Sequence, residues 1–175
     1  MKNLALKVTL VSCALLGTSV AKAQDHAQCY NLASIKGSYA SVATYGANIA
    51  LGLGVRSFDG NGNFTATFLV NQPDPKSTTG GRKIVTGTQV GTFTVNCDGS
   101  GQIIKTTTTS TGVISTSIEY LVITAAKRIH GQLIATAIED AQGIPSAIVP
   151  GGVFVIHHLT RLPDSGGSDG DQNQQ

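Results

Sequence analysis

The chain has little of several residue types that carry specific chemistry. It has no tryptophan, only 5% aromatic residues, 13% charged residues and three cysteines in 175 positions. The charges are scattered, with no basic stripe of the kind that binds phosphate backbones, so we expect no nucleic-acid partner. Neither a phosphate-binding glycine loop nor a Cys-x-x-Cys pair is present, and no cofactor or metal site is predicted.

Long apolar stretches are missing except near the start. Residues 1–23 combine an early lysine pair, an apolar stretch over 8–20 and a small-x-small site at Ala21–Ala23, which is the design of a signal peptide. The stretch is shorter than the roughly 20 residues that a membrane span needs. We therefore expect export to the periplasm or the medium, with no transmembrane segment. A minor alternative is a lipoprotein acylated at Cys13.

Net charge and cysteine content are counted for the chain that remains after the predicted leader, residues 1–23, is removed. Three lysines of the 12 basic residues lie in the leader, which leaves nine basic and ten acidic residues, a net charge of about −1. Two cysteines remain, Cys29 and Cys97. An even pair in an oxidising compartment predicts a disulfide, with two free thiols as the alternative.

Domain organisation follows from length and composition. Residues 24–163 have the size of one domain. Residues 164–175 contain only Gly, Ser, Asp, Asn and Gln, so this segment cannot bury enough surface to order itself and is predicted to be a disordered acidic tail.

Period-2 alternation dominates the domain, and helical periodicity is absent from it. Phe64, Ala66, Phe68 and Val70 alternate with Thr65, Thr67 and Leu69, and glycine-rich segments at 59–63 and 98–101 are strong hairpin-turn signals. We count eight candidate strands, at about 35–45, 48–58, 63–70, 83–95, 101–110, 112–124, 129–139 and 152–161.

Eight short strands with hairpin links predict an all-β fold, an antiparallel up-and-down barrel that leaves no exposed edge. A two-sheet β-sandwich is the alternative. Glycine and alanine at many strand positions fit either a hollow lumen or a tightly bent wall, and the sequence leaves both open.

Three segments together resemble a known group. They are Ile35–Tyr39 after Cys29, Phe58–Asn63, and Gly91–Gly101. The order resembles a group of secreted bacterial proteins of unknown function with a lipocalin-like or allene-oxide-cyclase-like β-barrel. The resemblance implies a barrel and a Cys29–Cys97 bridge, and it carries no catalytic residue. It covers roughly residues 29–101, and Asp98 follows the cysteine here, where the group tends to place an aspartate before it.

Several polar side chains are candidates for a binding site. Glu119 interrupts the apolar stretch 113–123, so we expect it to be at least partly buried and paired, with Arg56 or Arg161 as partner. His157 and His158 are strand neighbours, so one of them faces inward. Asp59, Asn61 and Asn63 have the start of a calcium-loop spacing, which a hairpin turn explains better because Phe64 replaces the required glycine.

The sequence favours a non-catalytic barrel that binds a small apolar or amphipathic ligand. No catalytic residue is assigned, and the predicted ligand-binding residues are Tyr39, Tyr45, Arg56, Glu119 and His158. A structural or interaction protein of the cell envelope is the second hypothesis. A cyclase- or isomerase-like enzyme, suggested by fold analogy alone, is the weakest.

Overall fold

The computed structural model describes residues 29–149 and 151–163. The predicted leader, Cys13 and the predicted tail lie outside the described residues. Eight antiparallel strands pair in chain order, and the first also pairs with the last, which closes one barrel. This confirms the predicted barrel and excludes the sandwich. The strands are β1 Gly37–Tyr45, β2 Ala50–Phe58, β3 Asn63–Pro73, β4 Arg82–Val95, β5 Ser100–Thr109, β6 Ile114–Ile129, β7 Gln132–Gln142 and β8 Val155–Arg161.

Up-and-down topology places the connections alternately at the two ends of the barrel. Residues 59–62, 96–99 and 130–131 lie at one end, here called the aromatic end. Residues 46–49, 74–81, 110–113 and 143–149 lie at the other, here called the polar end. The described residues contain no α-helix that could span a membrane.

A short 3₁₀ helix, Leu32–Ile35, covers the aromatic end. Asn31 caps it, because its side chain accepts from the Ala33 N–H at 3.0 Å while Ser34 Oγ accepts from the Asn31 N–H at 3.1 Å. Ile35 is fully buried beneath this cap. The predicted disulfide is confirmed, since Cys29 and Cys97 are joined and anchor the segment before the helix to the β4–β5 turn.

Aromatic rings fill the interior at this end. Phe58 packs edge-to-face on Tyr39 and on Phe93, with centroids 5.6 Å and 5.1 Å away, and lies 5.7 Å from Phe64. All four side chains are buried. Edge-to-face pairs of this kind add to the free energy of burial itself, so the aromatic end is a packed apolar core.

A smaller apolar cluster lies at the polar end and includes Tyr45, Val70, Val149 and Val155. The wall glycines allow close strand approach and do not open a large void: a Cβ at Gly91 would collide with the Ile104 carbonyl oxygen in the neighbouring strand. At this glycine the missing side chain therefore serves the close approach of β4 and β5.

The turn that resembles a calcium loop is explained by its own hydrogen bonds. The Asp59 carboxylate accepts from the backbone N–H groups of Asn61 and Asn63 at 2.7 Å and 2.9 Å, and from the Asn63 side chain at 2.8 Å. These bonds lower the pKa of Asp59. The segment is the β2–β3 hairpin turn.

Candidate functional site

Five ionisable side chains form one layer across the barrel interior, here called the ion layer. Each sits two positions along its strand from a buried residue of the apolar core at the aromatic end, on the same inward face and toward the polar end. Such spacing on five strands places all five side chains at a similar depth. The ion layer comprises Arg56 on β2, Lys105 on β5, Glu119 on β6, Asp140 on β7 and His157 on β8.

Two cations and two carboxylates pair within this layer. Arg56 Nη1 donates to Glu119 Oε2 at 3.0 Å and to Asp140 Oδ2 at 2.7 Å. Lys105 Nζ donates to the other oxygen of Glu119. Each of these four side chains is at most 2% exposed. Buried charges are tolerated only when they are paired in this way, so the layer is one mutually dependent unit.

The histidine pair divides between the two faces of β8. His157 faces inward, where its Nδ1 lies 2.6 Å from Asp140 Oδ1 and 3.5 Å from Glu119 Oε1. Because an ionised carboxylate only accepts, neutral His157 carries its proton on Nδ1 and leaves Nε2 as an acceptor. His158 points outward and pairs with Glu139 at 2.6 Å, with about half of its side chain exposed.

Burial and mutual pairing shift the titration of the layer. Burial alone would raise the pKa of Glu119, but the charges of Arg56 and Lys105 outweigh it and the pKa lies well below its usual range. Burial, reinforced by the Arg56 charge, lowers the pKa of Lys105. The same two causes lower the pKa of His157, so His157 is neutral at neutral pH.

The structure brings only part of the predicted residue set together. Arg56 and Glu119 meet as expected, whereas Arg161 bonds elsewhere, to the Lys36 carbonyl at 2.5 Å. Tyr39 lies at the aromatic end, where its hydroxyl donates to the Ala135 carbonyl at 3.1 Å. His158, one of the predicted ligand-binding residues, lies on the outer surface because alternation along β8 turns it away from the lumen, and His157 is the inward histidine.

Tyr45 lies at the polar end beside the ion layer. Its side chain is 4% exposed, and burial, followed by the Glu119 charge, raises its pKa. Gln89 on β4, 7% exposed, lies on the same side of the layer. Within residues 29–149 and 151–163, neither side chain makes a hydrogen bond. Both side chains therefore have hydrogen-bonding groups in the barrel interior that a bound molecule could use.

Two small cavities adjoin these side chains. One, of about 20 Å³, is bounded by β1, β2 and β3, and the other, of about 40 Å³, lies beneath residues 144–148. Tyr45, Gln89 and His157 line both. Both are far smaller than the roughly 300 Å³ of a typical drug-sized site, but each has room for at least one water molecule. They are polar sites for very small groups.

Glu119, Asp140 and His157 also meet a geometric test for metal ligands, because one ligand atom from each lies within 4.8 Å of the others. The protein's own cations already occupy the carboxylates, since Arg56 contacts both and Lys105 contacts Glu119. A metal ion would have to displace both cations. The set is therefore a site for cationic side chains.

Sequence reasoning missed Lys105 and Asp140 and left the histidines undecided. Strand parity carries a usable signal, because Lys105 lies on the same strand face as buried Ile103 and Asp140 on the same face as buried Ile138. For β8, the face of Val155, His157 and Leu159 is the more apolar of the two. Reading the parity of each polar residue against its neighbours would have placed His157 inside.

No protein-family model, curated protein or solved structure matches this chain. The resemblance to secreted lipocalin-like or allene-oxide-cyclase-like barrels therefore stays a prediction.

Proposed function

We propose that the protein is an exported, non-catalytic binding barrel that takes a small polar molecule at the polar end of its lumen. The observation that carries the proposal is the pair Tyr45 and Gln89. Both are more than nine-tenths buried, both line the two cavities, and neither side chain has a hydrogen-bond partner among the described residues. The polar groups of Tyr45 and Gln89 are therefore free to bond a molecule in these cavities. Gln142 Oε1, which lines the second cavity, is buried without a partner among the described residues. Such an unpaired atom costs about 1–3 kcal/mol, a cost that a bound polar molecule would offset.

The size and lining of the cavities change the expected ligand. An apolar or amphipathic molecule needs a larger and drier space than about 40 Å³ lined by Lys105, Gln142 and Ser117. A molecule of a few atoms with hydrogen-bonding groups suits the site better. The disulfide Cys29–Cys97 supports export, because such bonds persist mainly in oxidising compartments.

The test is a titration of the isotope-labelled protein with small polar probes: formamide, formate, methanol and urea. We expect at least one probe to shift the NMR resonances of cavity-lining residues in a saturable way. Gln89→Leu, which replaces a polar lining group, should abolish these shifts. Thr88→Leu is the matched control, since Thr88 is the outward neighbour on the same strand. If no probe shifts the cavity resonances at tens of millimolar, the proposal fails.

A second candidate, an interaction protein of the cell envelope, is favoured by the outer surface of β1–β3. Val42 pairs with Leu53, and Leu53 with Leu69, so three outward apolar side chains lie side by side. They are 45%, 55% and 40% exposed. Contiguous apolar surface often marks a contact site.

This candidate predicts that a cross-linker placed beside Leu53 captures one defined partner in the producing cell. The double variant Val42→Thr/Leu53→Thr should lose that product while Ile104→Thr on β5 retains it. Products that do not change with the outer-face variant would count against it.

A further inference from the structure

The ion layer presents only one kind of charge to the cavities. Arg56 lines the first cavity, Lys105 lines the second, and His157 lines both, whereas Glu119 and Asp140 line neither. The carboxylates are fully buried behind the cations. A molecule in the cavities therefore meets the positively charged side of a layer that is balanced as a whole.

Hydrogen-bond donors are also in excess on this side. A guanidinium has five N–H donors, and both bonds from Arg56 to the carboxylates use Nη1. The Lys105 ammonium has three N–H groups and bonds to one carboxylate. The Tyr45 hydroxyl adds a further donor. An occupant rich in acceptors fits this surface, and an ionised carboxylate only accepts hydrogen bonds.

One hydrogen-bond acceptor, the side-chain oxygen of Gln142, also lines the site. Gln142 lines the second cavity, and its Oε1 is buried without a hydrogen-bond partner among the described residues. The amide oxygen and nitrogen exchange places by a half-turn of the side chain, which would turn the NH₂ group of Gln142 toward an anion. Its amide group is therefore compatible with an acceptor-rich occupant.

Charge balance sets a condition on anion binding. Ion pairs join two cationic side chains, Arg56 and Lys105, to two carboxylates, Glu119 and Asp140, so the formal charges of these four groups balance and the neutral His157 adds none. Adding an anion to a balanced buried site leaves an uncompensated charge, which is costly. One additional proton on the layer would restore balance.

His157 is the group placed to take that proton. It lines both cavities, its Nδ1 faces Asp140 and Glu119, and its Nε2 is the acceptor in the neutral ring. The other charged or titratable groups around it are Arg56, Lys105 and Tyr45. Burial and the Arg56 charge together hold His157 neutral, and a bound anion beside Arg56 and Lys105 would offset the second of these causes.

We propose that the site binds a small carboxylate together with one proton, which His157 takes up. The inference rests on the proposed binding function and specifies its ligand class. Size agrees with it: a cavity of about 40 Å³ holds about three water-sized positions at 10–15 Å³ each, and formate has three heavy atoms.

The experiment compares formate with formamide, a neutral molecule of the same number of heavy atoms. Calorimetric titrations of the full domain are run in two buffers of different ionisation enthalpy, from pH 5.5 to 7.5. We expect formate to bind with uptake of about one proton, and its Kd to weaken about tenfold per pH unit as pH rises. Formamide should bind more weakly and without proton uptake.

Variants locate the proton. His157→Gln should bind formate more weakly than the wild type, without proton uptake and without pH dependence, whereas His158→Gln, on the outer surface, should behave like the wild type. The wild-type proton count needs no variant, so the test holds even if His157→Gln does not fold.

Three results would overturn the inference. Formate binding without proton uptake contradicts the role of His157. Binding of formamide or another neutral probe as tight as that of formate contradicts the ligand class and leaves the proposed function standing. Failure of every probe, charged and neutral, removes both.

Discussion

The two ends of the barrel interior hold their strands together by different physics. At the aromatic end, the rings of Phe58, Phe64 and Phe93 pack without a buried charge between them. Two residues further along the strands, the ion layer fills the same cross-section with five ionisable groups. The first arrangement gives stability from burial. The second gains little net stability, because desolvation consumes most of the attraction between charges.

This contrast suggests that the aromatic end stabilises the fold and that the polar end carries the binding function. A packed, covalently anchored end needs no ligand to be complete. A charged layer beside unpaired Tyr45 and Gln89 retains polar groups that are not fully used. Buried ionisable clusters with shifted pKa values concentrate at functional sites, which is why we place the binding function at the polar end.

The largest expected effect is a loss of unfolding free energy that a second substitution can partly restore at the ion layer but not at the aromatic end. Arg56→Met should lower the free energy of unfolding by about 3–5 kcal/mol, because it leaves Glu119 and Asp140 with one cation between them. Adding Asp140→Asn restores the charge balance, so the double variant should be more stable than the single one. Urea denaturation measures both.

At the aromatic end, adding Asp140→Asn should not restore stability lost by truncating a core ring. Phe58→Ala should cost about 3–5 kcal/mol through lost burial and a residual cavity. Adding Asp140→Asn to Phe58→Ala serves as the control and should give no recovery. If the Arg56→Met/Asp140→Asn pair is simply additive, the ion layer is not a charge-balanced unit.

Removing the disulfide should have the next largest effect. Cys29 and Cys97 are 68 residues apart, and the loop-entropy model gives about 4 kcal/mol for a closure of this size. We expect Cys29→Ala/Cys97→Ala to lose about that stability in denaturant titrations. Hydrogen exchange should quicken first around Ile35 at the aromatic end. A uniform increase along all eight strands would argue against an end-specific role.

The pH dependence of stability should give the next largest difference between the two ends. The pKa of His157 is lower in the folded protein than its unfolded value of about 6.5. Below pH 6.5 the unfolded chain therefore binds a proton that the folded protein does not, and stability falls as pH decreases toward the folded pKa. The slope should reach at most about 1.4 kcal/mol per pH unit.

Denaturant unfolding at pH 7.5, 6.5 and 5.5 measures this slope. His157→Gln should flatten it, and His158→Gln, which alters the exposed pair with Glu139, should not. The carboxylate contribution, including that of Glu119, appears only below about pH 4.5. An unchanged slope in His157→Gln would mean that another group titrates.

The smallest expected effect is the difference in stability cost between removing a tyrosine hydroxyl at the aromatic end and removing one at the polar end. Tyr39→Phe removes the hydroxyl that donates to the Ala135 carbonyl and should cost about 1 kcal/mol. Tyr45→Phe removes a hydroxyl that has no hydrogen-bond partner within the described residues, so its cost should be near zero without ligand. Equal losses for the two variants, measured by thermal unfolding, would remove the distinction between the ends.

Local sequence patterns predicted the strands well because each strand carries its own period-2 signal. The predicted segments 63–70 and 83–95 correspond to Asn63–Pro73 and Arg82–Val95, and turn residues at 59–63 fixed the hairpin between the first of these and β2. Inward faces such as Phe64, Ala66 and Val70 followed from the same alternation. These features depend only on residues close in the chain.

The ion layer was not predictable in the same way. Arg56 and Glu119 are 63 residues apart and lie on β2 and β6, across the lumen. Their meeting depends on how far each strand is staggered around the barrel, which no local pattern contains. The sequence offered Arg56 and Arg161 as alternative partners for Glu119. Only the closed register places Arg56 in the layer and turns Arg161 toward Lys36.

Closure between β1 and β8 has a kinetic consequence. Tyr39 pairs with Arg161, so the last strand must be present before the first has both of its neighbours. Pairing between such distant segments carries a large loop-closure entropy and makes folding slow. His157 is carried by β8, so the ion layer cannot be complete before β8 docks. We expect the carboxylates and cations of the other strands to stay hydrated while the barrel is open on that side, which would spare the folding chain an early desolvation cost.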